Sequence, residues 1–430
     1  MKPATCNLQP DACTQLTCEE RRRPLGRAFS GLFIVEGPDR DALTSGLNLL
    51  DRHIQQQTPL EQAARSWFRL HPLSAQNPYA ISLIAETFEQ LKALIADARE
   101  AVLSGTFRRI SGRSGIVYSP RAAGISGDIA FVFPGSGNHY VGMGRTLAVT
   151  WPEILRQMDS ETLELKTQMV PAAYVPFRQS WATGWDTEAL SAISADPLIP
   201  IFGQVVHGSF MARLIKTFGI SPQAVIGYSL GETAGLFALG AWQDRGEMLS
   251  RLAESSLFHT DLAGPCNAAR KAWKIAPSAP FDWKVAVVNR HSGIVKSVLP
   301  LFPLARLLIV NSPEECVIGG NRPDVEGVIA ALKCEAVYLD GVVTVHCDAA
   351  TPVRKAYRSL HRFPTVQPRD IRFYSCALNR AYALNTESAA DSITRQAISG
   401  FDFTATVLQA YADGVRIFLE MGPHSSCTRM

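Results

Sequence analysis

The stretch "AVIGYSLGETAG", Ala224 to Gly235, constrains the fold more than any other part of the chain. A short apolar run enters a turn that holds one serine between two glycines, and a small-residue helix follows. Gly227-Tyr228-Ser229-Leu230-Gly231 matches G-x-S-x-G in the strand–turn–helix context of a nucleophile elbow. The glycines permit a sharp backbone corner and close packing of helix on strand. Ser229 is thereby lifted into a cleft at a helix N-terminus, where unsatisfied N–H groups and the helix dipole favour developing negative charge. As a bare string the motif is weak, because glycine and serine abound in turns. Its apolar flanks favour a nucleophile over a structural turn.

At 430 residues the chain has material for two or three compact units. Hydrophobic content of 47% with 19% charged residues is ordinary globular composition. A net charge of +3 gives no basic field for nucleic acid, and the one basic cluster, Glu20 to Arg27, reads as a solvated linker. Of nine cysteines, Cys6, Cys13 and Cys18 lie in a polar N-terminal tail without metal-ligand spacing. The others, such as Cys316 and Cys376, sit in apolar segments, a pattern of reduced intracellular thiols with neither a disulfide framework nor a metal site. The N-terminus lacks the apolar core of a signal peptide, and no apolar run approaches the ~20 residues of a membrane span. The expectation is a cytoplasmic protein with no membrane or nucleic-acid partner.

Along the chain, residues 1–24 read as a flexible tail and 25–125 as a small α/β unit. That unit pairs a strand-like "RAFSGLFIVEG" with the helical "RDALTSGLNLLDRHIQQQ" and "SLIAETFEQLKALIADAREAVL". "SPRAAGISGD" reads as a junction. A second unit starts near residue 126, with a buried strand (Ile129 to Phe133) running into Pro134-Gly135. The helical "IFGQVVHGSFMARLIKTFG" and the strand "AVIGYS" follow, an order that predicts a parallel sheet covered by helices. Residues 282–342 give the order β-α-β-β-α-β of a ferredoxin-like insertion. Residues 343–430 supply elements that return to the larger sheet, and the abrupt end at "GPHSSCTRM" suggests a domain cut from a longer polypeptide.

A serine hydroxyl needs a base. Of the nine histidines, His53, His71 and His361 lie in polar contexts and read as solvated, and His207 as a core histidine. His346 closes a strand-like "VVTV", at the kind of strand end where an open sheet places its active site. His424 in "GPHSS" is the rival base, and His139 sits in the loop after the first strand. An oxyanion hole needs two aligned N–H donors, each worth roughly 3–4 kcal/mol in the transition state. Leu230 offers one, and Ser136, between two glycines in "PGSGNHY", offers the other. That loop is neither a P-loop nor a G-x-G-x-x-G fingerprint, since position 140 is Tyr.

Together these pieces resemble the malonyl/acyl-CoA:acyl carrier protein transacylases, the acyltransferase domains of fatty acid and polyketide synthases. "FVFPGSGNHYVGMG", "AVIGYSLGETAGLFALGA", "VNSPEECVIGG", "VHCDAATPV" and "FLEMGPHSSC" match in family order, over roughly Ile129 to Met430. The first of them looks closest to the acyltransferases of polyunsaturated fatty acid synthases and related iterative polyketide synthases. The resemblance implies an α/β acyltransferase fold: an α/β-hydrolase-like parallel-sheet large subdomain with an inserted ferredoxin-like small subdomain, preceded by a small α/β linker domain. It also implies a ping-pong reaction with Ser229 as nucleophile and His346 as base, oriented by a backbone carbonyl, and an oxyanion hole at Ser136 and Leu230. Coenzyme A thioester is then the substrate, with no bound cofactor or metal. The partners would be acyl carrier protein, bearing phosphopantetheine, and neighbouring synthase domains such as a ketosynthase. Asn311 and His424 match positions near the family's active site.

Three departures bear on cargo. Tyr228 stands where the family has His, Ser136 where it has Gln, and Glu254 falls, by counting, in the column of the Arg that pairs with a malonyl carboxylate. An Arg–carboxylate pair is hard to imitate, so the expectation is an uncharged acyl group rather than malonyl. Arg251 or Arg245 reaching into the site would reverse that. A malonyl-specific loader, a thioesterase-like release enzyme and a non-catalytic docking module remain alternatives.

Overall fold

A computed structural model describes residues 30–55, 59–74, 77–105, 115–119, 127–176, 183–339, 341 and 343–430. The cysteine-dotted tail, the basic cluster and most of the expected junction lie outside these residues. The chain divides into two compact units, Leu25–Gly127 and Asp128–Met430.

The first unit is an antiparallel sheet, β1 (Gly31–Gly37), β2 (Tyr79–Ala85) and β3 (Ile116–Ser119), in that order. It packs with helices α1 (Arg40–His53), α2 (Leu60–Leu70) and α3 (Phe88–Ser104) around its own core. One sequence expectation is corrected here. The expected helix from Ser82 begins only at Phe88, because Ile81, Leu83 and Ala85 alternate inward as a strand and Thr87 caps α3 by accepting from the Gln90 N–H.

In the second unit the central sheet runs β11-β10-β5-β4-β13. Strands β4 (Asp128–Phe133), β5 (Ala224–Gly227), β10 (Arg372–Ser375) and β13 (Val415–Glu420) are parallel, and β11 (Arg380–Tyr382) is an antiparallel edge. Buried parallel strands read as continuous apolar runs, as "AFVF" and "AVIG" do. Helix α4 (Leu198–Thr217) packs closely on α5 (Leu230–Ala238), and its Gly208 lies against Phe133 at the end of β4. It is long and apolar enough to span a bilayer by length and composition, contrary to the expectation that no such run exists. Yet 67% of its apolar window is buried in protein, and His207 lies inside as the core histidine expected.

The inserted subdomain has β6 (Trp283–Val288), α7 (Ser292–Val298), β7 (Ala305–Ser312), β8 (Glu315–Asn321), α8 (Arg322–Leu332) and β9 (Ala336–Leu339). Its sheet order β7-β8-β6-β9 is ferredoxin-like, and β12 (Phe401–Asp402) adds a parallel strand beside β7. Helices α6 (Arg245–Glu254), α9 (Arg354–His361), α10 (Thr386–Ser399) and α11 (Phe403–Ala412) complete the frame of the site.

Candidate active site

Ser229 sits between β5 and α5 with φ 54° and ψ −118°, a strained corner for a residue with a Cβ. The two glycines make that corner possible. A Cβ on Gly227 would lie 2.1 Å from the Glu232 nitrogen, and one on Gly231 would lie 1.9 Å from the Phe133 carbonyl oxygen. The helix can therefore start directly against the sheet, with the Gly231 N–H bonded to the Tyr228 carbonyl (2.8 Å) and the Glu232 N–H to the Ser229 carbonyl (3.1 Å).

Ser229 Oγ is 2.7 Å from His346 Nε2. His346 Nδ1 is 2.9 Å from the main-chain oxygen of Gln396. A carbonyl only accepts, so Nδ1 carries the proton and Nε2 is left as the acceptor for the serine hydroxyl. Among the described residues no carboxylate touches the ring. Gln396 lies in the last turn of α10, whose negative dipole end favours a transient imidazolium. Burial pushes the His346 pKa down to about 4, against the raising effect of the Gln396 carbonyl. At neutral pH the ring is an unprotonated base. Val343–Val345, expected as a strand, are irregular instead: Thr344 N–H bonds to the Leu262 carbonyl and His346 N–H to the Ala397 carbonyl rather than to a neighbouring strand.

Ser136 and Leu230 both line the cavity at Ser229, and among the described residues neither main-chain N–H is spent on a protein acceptor. The Ser136 loop is pinned from two sides. Asn138 N–H donates to Gln204 Oε1 (3.1 Å) on α4, and Asn138 Nδ2 donates to the Gly135 carbonyl (2.9 Å). Two uncommitted main-chain amides thus lie in residues lining the cavity at Ser229, the kind of donor that stabilises a developing oxyanion when aimed at it.

The cavity reaches between the large sheet and the inserted subdomain, with a volume of about 100 Å³. Its walls include Phe237, Met248, Leu252, Phe258, Val345 and Ile393, and no Lys, Arg, Asp or Glu lines it among the described residues. Tyr357 and His361 supply polar groups in this wall, their rings 4.5 Å apart. His361, expected to be solvated, is buried because α9 turns that face inward, and burial lowers its pKa to about 4. Its Nδ1 donates to the Tyr357 carbonyl at 2.8 Å.

The remaining expected site residues divide clearly. Tyr228 lines the cavity, donates 2.7 Å to Asn311 Oδ1 on β7, and packs edge-on against Phe401 and Phe403. Asn311 is buried and passes its own N–H to Glu315. Glu254 is exposed and does not line the cavity beside Ser229. Two residues along a helix is about 200° of rotation; Met248 and Leu252, an i,i+4 pair, present the facing side instead. Arg251 is held by Glu247, the Arg362 carbonyl and the face of Phe363. Arg245 is buried against Gln168. Neither arginine lines the cavity. His139 bonds Ser194, and His424, the rival base, is exposed and meets the Tyr140 ring at a tilt, 4.8 Å between centroids; both stand outside the cavity.

No protein-family model matches this chain. Curated relatives include one chain of the polyunsaturated fatty acid synthase of Thraustochytrium sp., 25% identical over 73% of this chain and 16% of that protein. Polyketide synthase GfsA of Streptomyces halstedii is 24% identical over 78% of the chain and 4% of its own length. The chain thus spans a small fraction of the relatives it matches. Among solved structures, the acyltransferase domain of SpnD, in complex with 2-(pent-4-yn-1-yl)malonyl, superposes with TM-score 0.66 at 17% identity, covering 95% of this chain and 88% of that one. An acyl carrier protein S-malonyltransferase from Vibrio cholerae gives 0.52 at 21% identity, over 70% and 92%. The fold is that of acyltransferase domains and malonyl-CoA:acyl carrier protein transacylases. The chain's homologues are polyketide and polyunsaturated fatty acid synthases, as the motifs implied.

Proposed function

We propose that the chain is an acyl-CoA:acyl carrier protein S-acyltransferase that works through an acyl-Ser229 ester and favours an uncharged acyl group. Ser229 Oγ attacks the thioester carbonyl carbon while His346 Nε2 takes its proton. The Ser136 and Leu230 amides hold the oxyanion. Collapse breaks the C–S bond, and coenzyme A leaves with the proton that His346 returns. The phosphopantetheine thiol of a carrier protein then gives its proton to His346, and its sulfur attacks the ester. The C–O bond breaks, and Ser229 regains its proton. Relatives many times longer than this chain support a carrier protein and a ketosynthase as neighbours in one assembly.

The observation that carries the cargo preference is the uncharged cavity wall, with Leu252 and Met248 presented by α6. A malonyl carboxylate there would lose water without gaining a cation, a cost of several kcal/mol. A volume of about 100 Å³, smaller than the about 150 Å³ of an engineered apolar cavity that admits benzene, favours a short acyl chain. The second reading is malonyl loading, favoured by the likeness to a malonyltransferase. Intact-mass measurement after incubation with acetyl-, hexanoyl- and malonyl-CoA tests both. The expected result is an acetyl or hexanoyl adduct that is absent from Ser229→Ala. A dominant malonyl adduct would overturn the neutral preference. Faster loss to water than to carrier protein would make the enzyme a thioesterase, and no adduct at all a docking module.

A further inference from the structure

Glu232, three residues after the nucleophile, is a buried carboxylate that the reaction above leaves unused. It occupies the first turn of α5, yet it turns into the protein instead of back to the helix start. Among the described residues no Lys, Arg or His pairs with it. Its partners are all neutral. Oε1 accepts from Tyr382 Oη (3.1 Å) and from Ser392 Oγ (2.5 Å), and Ser392 Oγ is itself 2.6 Å from Ser375 Oγ. With the Ser392 proton directed at the carboxylate, Ser375 donates to Ser392. Oε2 accepts from Gln396 Nε2 (2.9 Å).

That last bond joins the carboxylate to the catalytic base. The Gln396 side chain is held by Glu232 and, at 3.3 Å, by the Ser229 carbonyl. The Gln396 main-chain oxygen holds His346 Nδ1. One residue thus touches both members of the catalytic pair, and Glu232 fixes its side chain. The donor count explains why the position is acidic. Tyr382, Ser392 and Gln396 all present hydrogens, so only a carboxylate accepts every one. An amide would turn its own N–H groups toward a donor.

Resting on the acyl-transfer reading for its substrate, we propose that Glu232 is a positioning residue: its carboxylate anchors Gln396, and through the Gln396 carbonyl it keeps His346 in the tautomer and orientation that accept the Ser229 proton. Burial raises the Glu232 pKa to about 7, against the lowering effect of the Ser392 and Tyr382 hydrogen bonds. The other titratable groups facing it are Tyr382, Tyr357 and Cys376, each pushed upward by burial and neutral below pH 8. Ionisation of Glu232 therefore completes the network as pH rises through 7, while His346 stays unprotonated down to about 4.

The test measures labelling of Ser229 by an alkyl fluorophosphonate, which reads the serine–histidine pair without any acyl-CoA, beside steady-state turnover of acetyl-CoA. Glu232→Gln is expected to slow labelling and kcat by about 10- to 100-fold, the scale of a slightly misplaced catalytic group. The KM for acetyl-CoA should stay within about twofold, since Glu232 does not line the acyl cavity. In the wild type, labelling should fall as pH drops below 7, and Glu232→Gln should remove that limb. Tyr382→Phe takes away one donor and should move the limb to higher pH; this variant decides the matter if Glu232→Gln does not fold. Wild-type labelling rates and pH profile in Glu232→Gln, or an unshifted limb in Tyr382→Phe, would overturn the proposal. Robust labelling with no acylation from any coenzyme A thioester would instead defeat the acyl-transfer reading and leave the role of Glu232 standing.

Discussion

Tyr228 Oη donates a 2.7 Å hydrogen bond to Asn311 Oδ1, tying the nucleophile turn of the large subdomain to strand β7 of the inserted one. The Tyr228 ring is clamped edge-on by Phe401 and Phe403, each 5.2 Å away between centroids, and Phe401 in turn meets the His346 ring at the same distance. Tyrosine beside the serine is thus a joint between subdomains as well as a cavity wall. Tyr228→Phe should leave the buried Asn311 oxygen without its donor and cost about 1–3 kcal/mol. Thermal unfolding of Tyr228→Phe, Asn311→Ala and the double variant checks this; the expected coupling is about 1 kcal/mol or more. Purely additive losses would mean that the bond carries no energy.

The cavity wall makes a sharper claim about cargo. Leu252→Arg places a cation where α6 faces the cavity beside Ser229, whereas Glu254→Arg places one on the exposed side of the same helix. Leu252→Arg should lower thermal stability, because an unpaired buried guanidinium is costly. It should also raise the ratio of malonyl to acetyl adduct by at least about tenfold, equivalent to about 1.4 kcal/mol. Glu254→Arg should leave the ratio unchanged. Competition between the two donors, read by intact mass, separates the positions.

Those two residues also show how far the chain could be read before its structure. The strand–turn–helix around Ser229, the closeness of His346 to it and the ferredoxin-like insertion were legible because each has a local signature: fixed glycines, a buried apolar run, or an order of short elements. The cargo wall had no such signature. Counting along α6 reaches Glu254, but a helix assigns faces by rotation, and only packing against the sheet shows that Leu252 faces inward. His361 was hidden similarly, since the polar neighbours of α9 mask one buried face. Gln396 acts on His346 through a main-chain oxygen, which every residue possesses and no side-chain pattern reports. Glu232 directly follows the elbow motif, yet its burial depends on donors about 150 residues away in sequence.

Buried neutral histidines set an acid limit on stability. Burial lowers the pKa values of His207, His346 and His361 to about 4, from an unfolded value of 6.5. Between pH 6.5 and 4 the unfolded chain binds protons that the folded one refuses, so stability falls with falling pH, by about 2 kcal/mol per histidine at pH 5. Glu232 acts oppositely. Its raised pKa of about 7 favours the folded state below 4.5, and that contribution is lost as pH rises to 7. Three groups against one predict net destabilisation of a few kcal/mol between pH 7 and pH 5. Urea unfolding at both values tests the sign, and His207→Leu should flatten the slope by about one proton.

The elbow glycines give a last, steric test, because the structure distinguishes positions that share a residue type. Gly231→Ala would set a methyl 1.9 Å from the Phe133 carbonyl, and Gly227→Ala one 2.1 Å from the Glu232 nitrogen. Both contacts are with backbone, which cannot rotate away, so helix α5 would have to lift from the sheet and carry Ser229 with it. A loss of more than about 4 kcal/mol, or failure to fold, is expected from either change. Gly137, in the oxyanion loop, has open space around it but a φ of 89°. Its alanine variant should cost only about 1–2 kcal/mol of backbone strain. The Gly137 variant should therefore purify as a folded protein with a modestly lowered melting temperature and slower Ser229 labelling, since that strain falls beside the Ser136 amide. A Gly231→Ala protein as stable as the wild type would show that the helix does not rest on the sheet at the distance seen here.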